Sequence, residues 1–342
     1  MPNSVCPTVI CAGVGICPIV GNNWRTCVGK HAVKAFGNRL ASSTVVFPAS
    51  FLRTSGPWGV AFRGGCMKLF FCSLVFAVIL LPALCSAQMP YQVIAVEAGG
   101  TIRGNVKWQG SLPHLVPSET NKDAQVCDPS GQKRRDLERL LVSPNGGVAN
   151  TVVYLKNITR GKAMDLPTQR RSLNQKNCRY EPHILLVPVQ ATLSVKSSDP
   201  LLHTVHMSGS ADYNLPFTAE GQEITRPMTR AGVVSLRCNA GHVWMNGEMI
   251  VATHPYYAVT DQDGDFELRD VPPGEYEIAA WHEGWRVVGE SALYDIETQA
   301  RGKRPVFSEP MIWSKSVTVP SRGTAEINFT IGEHTAQMSQ GQ

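Results

Sequence analysis

Short β-type segments separated by turns recur from about residue 100 onward. They are rich in Val, Ile, Thr, Tyr and Phe, with Gly, Pro, Asn and Asp clusters between them, which is the pattern of strands joined by tight turns. Only residues 134–141 (RRDLERLL) show a modest helical period. The sequence therefore predicts an all-β protein built of sandwiches. The predicted strands are 101–108, 150–156, 183–189, 191–197, 232–238, 248–253, 257–260, 265–269, 275–281, 315–319 and 324–331.

The first 87 residues differ in composition from the rest. From Met67 the chain runs MKLFFCSLVFAVILLPALCSAQ, in which a Lys precedes an apolar stretch and small residues follow it. This pattern predicts a secretory signal peptide over 67–87, cleaved after Ala87, because the apolar run is shorter than the roughly 20 residues that span a bilayer. We therefore expect a periplasmic or extracellular protein with no stable transmembrane segment after cleavage. Since a signal peptide acts at the start of a chain, we expect the true start to be Met67. Residues 1–66 would then come from an over-extended coding sequence, and we expect them to be disordered.

Removal of this leader changes the charge of the chain. Residues 1–87 hold 7 of the 32 basic side chains and none of the 27 acidic ones. The remaining chain carries 25 basic and 27 acidic side chains, a net charge of −2. A nucleic-acid partner, which would need a basic surface, is therefore not expected.

Three cysteines remain after cleavage, namely Cys127, Cys178 and Cys238. In an oxidising compartment this number predicts one disulfide and one thiol with another role. Cys127 and Cys178 lie in loop-like surroundings, QVCDPSG and NQKNCRY, and are the predicted pair. Cys238 is the cysteine left over.

Residues 256–285 alternate apolar and polar side chains around an Asp/Gly turn and a Pro-Pro-Gly turn. Their run TDQDGDFELRDVPPGEY resembles the carboxypeptidase regulatory-like (transthyretin-like) β-sandwich, a small non-catalytic module. TIRGNVKWQG (101–110) and NTVVYLKN (150–157) resemble the first strands of that family, about a hundred residues upstream. The resemblance implies a sandwich whose two parts, 88–170 and 255–335, flank a second domain at 171–254. Insertion is the favoured arrangement and side-by-side domains are the alternative; a disordered tail is expected at 336–342.

The middle segment resembles a cupredoxin in two halves. RYEPHILLVPVQATLSVKSSDPLLHTVHM is similar to the part of that family that delivers the first histidine ligand, and GVVSLRCNAGHVWMNGEMIV to its closing loop, where Cys, His and Met follow in order. The resemblance covers about 80 of the 342 residues and implies a Greek-key sandwich. It also implies one type 1-like copper ion on His203, Cys238, His242 and Met245.

The residue types by themselves, apart from any family resemblance, suit a copper site. A one-electron copper site uses a soft thiolate, two imidazoles and a weak axial thioether, so that little rearrangement accompanies electron transfer. Strand alternation directs Val234, Leu236 and Cys238 to one face. It likewise makes His203 the inward histidine of its strand and His206 the outward one. Met249 or an open position is the alternative to Met245 on the axial side.

Other polar residues have simpler interpretations. His183 and His254 are read as a strand-end and a turn residue, although His183 is also a candidate further ligand. Trp244 either shields the site from water or packs in the core. The Asp261, Asp263 and Asp265 cluster lacks the final Glu of a calcium-binding loop, and we interpret it as a turn.

These features predict an exported electron carrier, not an enzyme, since no GxSxG, HExxH or Walker-type loop occurs. Its expected partner is an unidentified redox protein, with His242 as the electron exit. One alternative is a metal-free scaffold that engages a polysaccharide or cell-envelope surface. The other is copper storage or delivery, which extra ligands such as His183 or His206 would favour.

Overall fold

The structure is a computed structural model that describes residues 91–164, 171–295, 297–299 and 301–332. The predicted extension (1–66), signal peptide (67–87) and tail (336–342) lie outside these residues. Apart from one short helix, the elements of the described part of the chain are all strands, which confirms the predicted all-β class. None of its helices is long and apolar enough to cross a membrane.

The first stretch of the described chain holds six strands and a single-turn helix. Two of the strands are long, and the others are short pairings at loops. They are β1 (Gln92–Val93), β2 (Gly100–Trp108), β3 (Ser118–Glu119), α1 (Ala124–Cys127), β4 (Arg134–Arg135), β5 (Val152–Lys156) and β6 (Arg160–Gly161).

The middle stretch forms a sandwich of its own. One sheet has the order β13-β10-β7-β8 and the other β12-β11-β14-β15-β9. We call it the inner sandwich. Its strands are β7 (Ser172–Lys176), β8 (Arg179–Glu181), β9 (Ile184–Pro188), β10 (Thr192–Ser197), β11 (His203–Gly209), β12 (Tyr213–Phe217), β13 (Glu223–Pro227), β14 (Gly232–Arg237) and β15 (Asn246–Ala252).

The last stretch returns to the strands of the first. One sheet has the order β16-β5-β18-β21, and the other has β17-β2-β22, with β23 also paired to β2. We call this the outer sandwich. Its remaining strands, with the separate hairpin β19–β20, are β16 (Tyr257–Val259), β17 (Asp265–Val271), β18 (Gly274–His282), β19 (Val287–Tyr294), β20 (Arg301–Phe307), β21 (Met311–Val319), β22 (Thr324–Glu326) and β23 (Phe329–Ile331).

Strands β9 and β15 are buried along their whole length because both faces of their sheet are covered. Met249 and Val251 face the core of the inner sandwich. Ile250 and Ala252 face the other way and pack with Trp281 of β18 in a second cluster. A fully buried aliphatic side chain contributes roughly 1.5–3 kcal/mol, so this shared layer fixes one sandwich against the other.

The predicted helical period at 134–141 does not form a helix. Arg134 and Arg135 belong to β4, and Glu138 has a φ of 60°, a left-handed conformation that interrupts a right-handed helix. Isolated helices of this length are marginal. The segment instead directs Arg139 into a buried cluster of charged groups, where it is 5% exposed.

Two smaller predictions are confirmed. Cys127 and Cys178 form a disulfide, and both are buried. The Asp261 cluster is a turn in which the Asp261 Oδ1 atom accepts the backbone N–H groups of Asp263 and Asp265, each at 2.9 Å.

Candidate metal centre

Cys238 follows the last residue of β14 and faces the core of the inner sandwich. Val234 and Leu236 are buried on the same side of that strand, whereas Val233 is exposed. The strand period therefore sets the direction of the thiol, as predicted. Cys238 is 1% exposed and is the free cysteine of the described chain.

His203 begins β11, the neighbour of β14 in the sheet. Its ring is fully buried, whereas His206 on the opposite face of β11 is half-buried and pairs with Arg237. The prediction that His203 points inward and His206 outward is confirmed. Adjacent strands thus bring His203 and Cys238 to the same end of the sandwich.

His242 lies on the loop between β14 and β15, which is closed by its own backbone. The Cys238 N–H donates to the Met245 carbonyl oxygen (3.3 Å), and the Met245 N–H donates to the His242 carbonyl oxygen (3.0 Å). Met245 is 2% exposed in the same core. Its role as axial ligand remains a prediction.

The ligand atoms of His203, Cys238 and His242 lie within 4.8 Å of one another. The two Nδ1 atoms are 3.2 Å apart, and the Cys238 Sγ atom is 3.7 Å from the Nδ1 of His242. A soft sulfur and two imidazole nitrogens that meet in a buried space form a donor set suited to copper.

Each histidine has a carboxylate at its other nitrogen. The Nε2 atom of His203 lies 3.0 Å from Asp199 Oδ2, and that of His242 lies 2.9 Å from Asp123 Oδ2. An Nε2–H that donates to a carboxylate leaves the Nδ1 lone pair free for a metal, and metal-bound histidines are commonly held in this way. The two aspartates therefore orient both rings with Nδ1 toward Cys238, and a metal that binds there would displace any proton held between these atoms.

Asp199 is itself fixed by the chain. It accepts the backbone N–H groups of Asn177 and Cys178, each at 2.8 Å. Burial opposes its ionisation, but the hydrogen bond from His203 and these backbone donors hold the pKa of Asp199 below its usual range. A charged carboxylate is thus ready to orient His203.

The thiol is activated by the same neighbours. Burial raises the pKa of Cys238, but hydrogen bonds and charges from His203 and His242 outweigh it and hold that pKa well below the usual value. Burial lowers the pKa of His203, yet its bonds to Asp199 and Cys238 raise it to about 9. The sulfur is further approached by the Ala240 N–H at 3.4 Å and by the Thr204 hydroxyl at 3.8 Å. A thiolate is the form that binds metal.

The remaining candidates lie elsewhere or only border the site. His183 contacts Glu283 in the buried charged cluster. Trp244 is 3% exposed, contacts the His242 ring edge-on at 5.4 Å, and donates from Nε1 to the Cys178 carbonyl oxygen. His242 itself is fully buried, which the prediction of His242 as the electron exit did not anticipate.

Sequence reasoning missed the two aspartates. Asp199 lies four residues before His203 in SDPLLH, a spacing that could have suggested a partner. Asp123 is 119 residues from His242, and nothing in its neighbourhood links it to a histidine. The disulfide was predicted, but not its position, with sulfur atoms within 4.8 Å of a His242 ring nitrogen.

Comparison with known families gives a partial match. The model for the second β-sandwich domain of the NOMO1-like subunit of the BOS complex matches residues 252–303. This stretch runs from the end of β15 into β20, so the match supports a β-sandwich for part of the outer sandwich. No curated protein matches the chain.

Comparison with solved structures finds copper proteins at low overall similarity. A reduced variant of amicyanin is 25% identical over 24% of this chain and 80% of its own, with a TM-score of 0.22. A purple cupredoxin from Nitrosopumilus maritimus is 19% identical over 24% and 98%, with a TM-score of 0.21. The copper-containing nitrite reductase of Thermus scotoductus is 20% identical over 27% and 24%, with a TM-score of 0.23. Each of these similarities covers about a quarter of this chain.

Proposed function

We propose that this chain is an exported copper protein that carries single electrons. One type 1-like copper ion would be held by His203, Cys238 and His242, with Met245 on the axial side. The observation that carries this proposal is the convergence of two imidazole nitrogens and one thiol sulfur within 4.8 Å in a buried space. The donor types are those of copper sites that exchange one electron.

The protein groups around the site would keep these donors in place. Asp199 and Asp123 hold the Nε2 protons and so present both Nδ1 atoms to the metal. The Ala240 N–H and the Thr204 hydroxyl approach the sulfur and stabilise its negative charge. Copper bound there would supply the Cu(I)/Cu(II) redox couple. Since all three ligands are buried in a packed core, the protein side needs little rearrangement when the charge changes.

Electron transfer is favoured over copper delivery by the positions of the other histidines. Delivery needs ligand exchange, for which His183 or His206 were the candidate extra ligands. His183 is engaged by Glu283, and His206 lies on the opposite face of β11 from His203. These positions support an electron carrier over a copper-delivery protein, and we propose an unidentified redox protein as its partner.

The architecture and the compartment belong to the same proposal. A cupredoxin-like inner sandwich inserted into a carboxypeptidase regulatory-like outer one is supported by the sheets, since β7 to β15 pair among themselves and β5 pairs with β16 and β18. Export is supported by the buried disulfide, because such bonds persist in oxidising compartments.

The test is a titration of the purified metal-free chain with Cu(II), followed by absorption and EPR. We expect an intense visible thiolate-to-copper band that saturates at one equivalent. Cys238→Ser should abolish the band because it removes the only thiolate among the proposed ligands. His203→Gln should weaken or abolish it by removing one imidazole.

His206→Gln is the matched control, because His206 lies on the same strand as His203 but on its opposite face. It should bind copper as the wild type does, and circular dichroism should show each variant folded. A colourless wild type that takes up no copper, with its thiol confirmed reduced, would exclude the copper site and favour a metal-free scaffold protein.

A further inference from the structure

Residues 118–135, which we call the strap, cross the metal end of the inner sandwich. The strap starts and ends at the paired strands β3 and β4 and contains α1. Its helix ends at Cys127, which is bonded to Cys178 in the turn between β7 and β8. A segment outside the inner sandwich is thus covalently tied beside the ligand cluster, since both sulfurs lie within 4.8 Å of a His242 ring nitrogen.

Asp123 of the strap occupies the side of His242 that faces away from the cluster. Its side chain is 26% exposed, whereas that of His242 is fully buried. The carboxylate therefore stands between the histidine ring and solvent. Asp123 has a φ of 49°, a left-handed conformation that a non-glycine residue adopts at a cost of roughly 1–3 kcal/mol. The surrounding contacts hold it in that conformation.

A second set of contacts holds the strap from the side of the outer sandwich. Lys122 forms ion pairs with Asp295 at 2.8 Å and with Glu297 at 2.7 Å, both at the tip of the β19–β20 hairpin. The Lys122 and Asp295 side chains are mostly buried, 14% and 11% exposed. Burial lowers the pKa of Lys122, but the two carboxylates raise it overall, so the ammonium stays charged.

The same hairpin also holds the ligand loop. Arg304 of β20 donates to the Cys238 carbonyl oxygen at 3.3 Å and to the Asn239 Oδ1 atom at 2.8 Å. The Asp295 carboxylate lies against Gly241, where a Cβ atom would overlap it. The strap and the hairpin together therefore cover residues 238–242.

We propose that Asp123 is a positioning residue for His242, and that the disulfide-tied strap closes the metal end of the protein. The inference rests on the proposed copper site and deepens it. Asp123 fixes the ring of His242, keeps its Nε2 proton, and places a negative charge near the metal. The closed end removes the direct path by which water or a competing chelator would reach His242, and metal release is correspondingly slow.

The experiment uses the whole chain with Asp123→Asn and Asp123→Ala. Asn keeps an oxygen acceptor but loses the charge, whereas Ala loses both. Loss of an outer-shell partner of a ligating histidine typically weakens metal binding by about 10–100-fold. We expect Asp123→Ala to reach that range and Asp123→Asn to lose less. In both variants the reduction potential should rise, because a negative charge stabilises the more positive oxidised site.

The metal-free protein gives an independent measurement. By ¹H–¹⁵N NMR, the Nε2 proton of His242 should exchange slowly with water in the wild type and rapidly in Asp123→Ala. The double substitution Cys127→Ala/Cys178→Ala releases the strap without leaving a free thiol near the site. This double variant should exchange the Nε2 proton of His242 faster than the wild type. Its copper-loaded form should also release copper to a chelator faster.

Asp128→Asn is the matched control, since Asp128 lies in the same strap and its carboxylate accepts backbone N–H groups from Gln132 and Lys133. Equal effects of Asp123→Asn and Asp128→Asn on affinity and potential would overturn the role of Asp123 while leaving the copper site intact. A wild type that binds no copper at all would remove both proposals together.

Discussion

His254 is a buried histidine outside the candidate metal centre, and its environment favours the neutral ring. It is 6% exposed, its Nδ1 atom accepts the Tyr256 N–H at 3.3 Å, and its ring lies 4.7 Å from that of Tyr257. Burial lowers the pKa of His254 from 6.5 to about 4. The unfolded chain therefore binds a proton between these pH values that the folded chain does not.

This difference predicts a pH-dependent loss of stability. The stabilisation from a neutral His254 is present above pH 6.5 and is lost as the pH falls toward 4. A shift of this size corresponds to about 3 kcal/mol. His254→Asn retains an acceptor for the Tyr256 N–H but does not titrate. Urea unfolding at pH 7 and pH 4.5 should show a smaller decrease for the variant than for the wild type; equal decreases would contradict the shifted pKa.

At the scale of single residues, the sequence predicted the position of Cys238 in the site but not that of Asp123. The thiol and His203 were placed by strand alternation, which has a fixed period of two. Asp123 reaches His242 through a loop whose path is set by a disulfide and by ion pairs to a distant hairpin. Such a contact has no local period, so the sequence did not predict it.

At the scale of the element, β2 shows why a glycine lies inside a strand. Gly104, in TIRGNVKW, faces the segment between β22 and β23, and a Cβ atom there would overlap the Ile327 carbonyl oxygen. β2 pairs with β17 on one side and with β22 and β23 on the other. The absence of a side chain thus permits the close approach that completes this sheet.

Gly104→Ala should therefore destabilise the outer sandwich. Overpacking costs about 1–3 kcal/mol where side chains can move, and here the obstacle is backbone, so we expect the upper part of that range. Gly289→Ala in β19 is the control, since nothing lies within 4 Å of its Cβ position, and it should change stability by less than about 1 kcal/mol. Urea midpoints measure both; a Gly104→Ala variant as stable as Gly289→Ala would contradict the predicted overlap.

Apolar alternation predicted β17, but β7 and β12, which also bury one face, were missed, as was the exposed hairpin β19–β20. Phe266 and Leu268 of β17 alternate with exposed Glu267 and Arg269, and this alternation was visible in the sequence. The hairpin β19–β20 is exposed on both faces over most of β19. The hairpin fills no core, so its sequence carries no alternation and did not predict it, although its Arg304 contacts Cys238 and Asn239.

At the scale of the whole molecule, Arg139 connects the two sandwiches. Its guanidinium contacts Asn246 of β15 at 2.8 Å and lies 3.7 Å from Glu248 of the same strand. It also forms an ion pair with Glu283 at 2.8 Å and donates to the Gly284 carbonyl oxygen at 2.6 Å. Glu283 is fully buried, so its charge depends on partners from both sandwiches.

Glu283 stays ionised because of these partners. Burial opposes ionisation, but the charges of His183 and Arg139 outweigh it and hold the pKa of Glu283 below its usual value. Glu248 has the opposite balance: burial and the charge of Glu283 raise its pKa to about 7. The Arg139 guanidinium therefore serves chiefly Glu283. Its loss leaves this buried carboxylate with His183 as its contacting partner and with the more remote charge of Arg237.

Arg139→Met should consequently weaken the contact between the sandwiches as well as overall stability. Breaking a buried pair by removing one partner costs about 3–5 kcal/mol, because the remaining charge is left uncompensated. Arg139→Met combined with Glu283→Gln removes both charges and should recover a large part of this loss. Arg103→Met is the control, because the Arg103–Glu326 pair is 60% and 70% exposed, and exposed pairs contribute about 0–1 kcal/mol. Thermal unfolding, followed by Trp fluorescence and near-UV circular dichroism, would measure these differences in stability. Equal losses of stability for Arg139→Met and Arg103→Met would contradict a role for Arg139 in holding the sandwiches together.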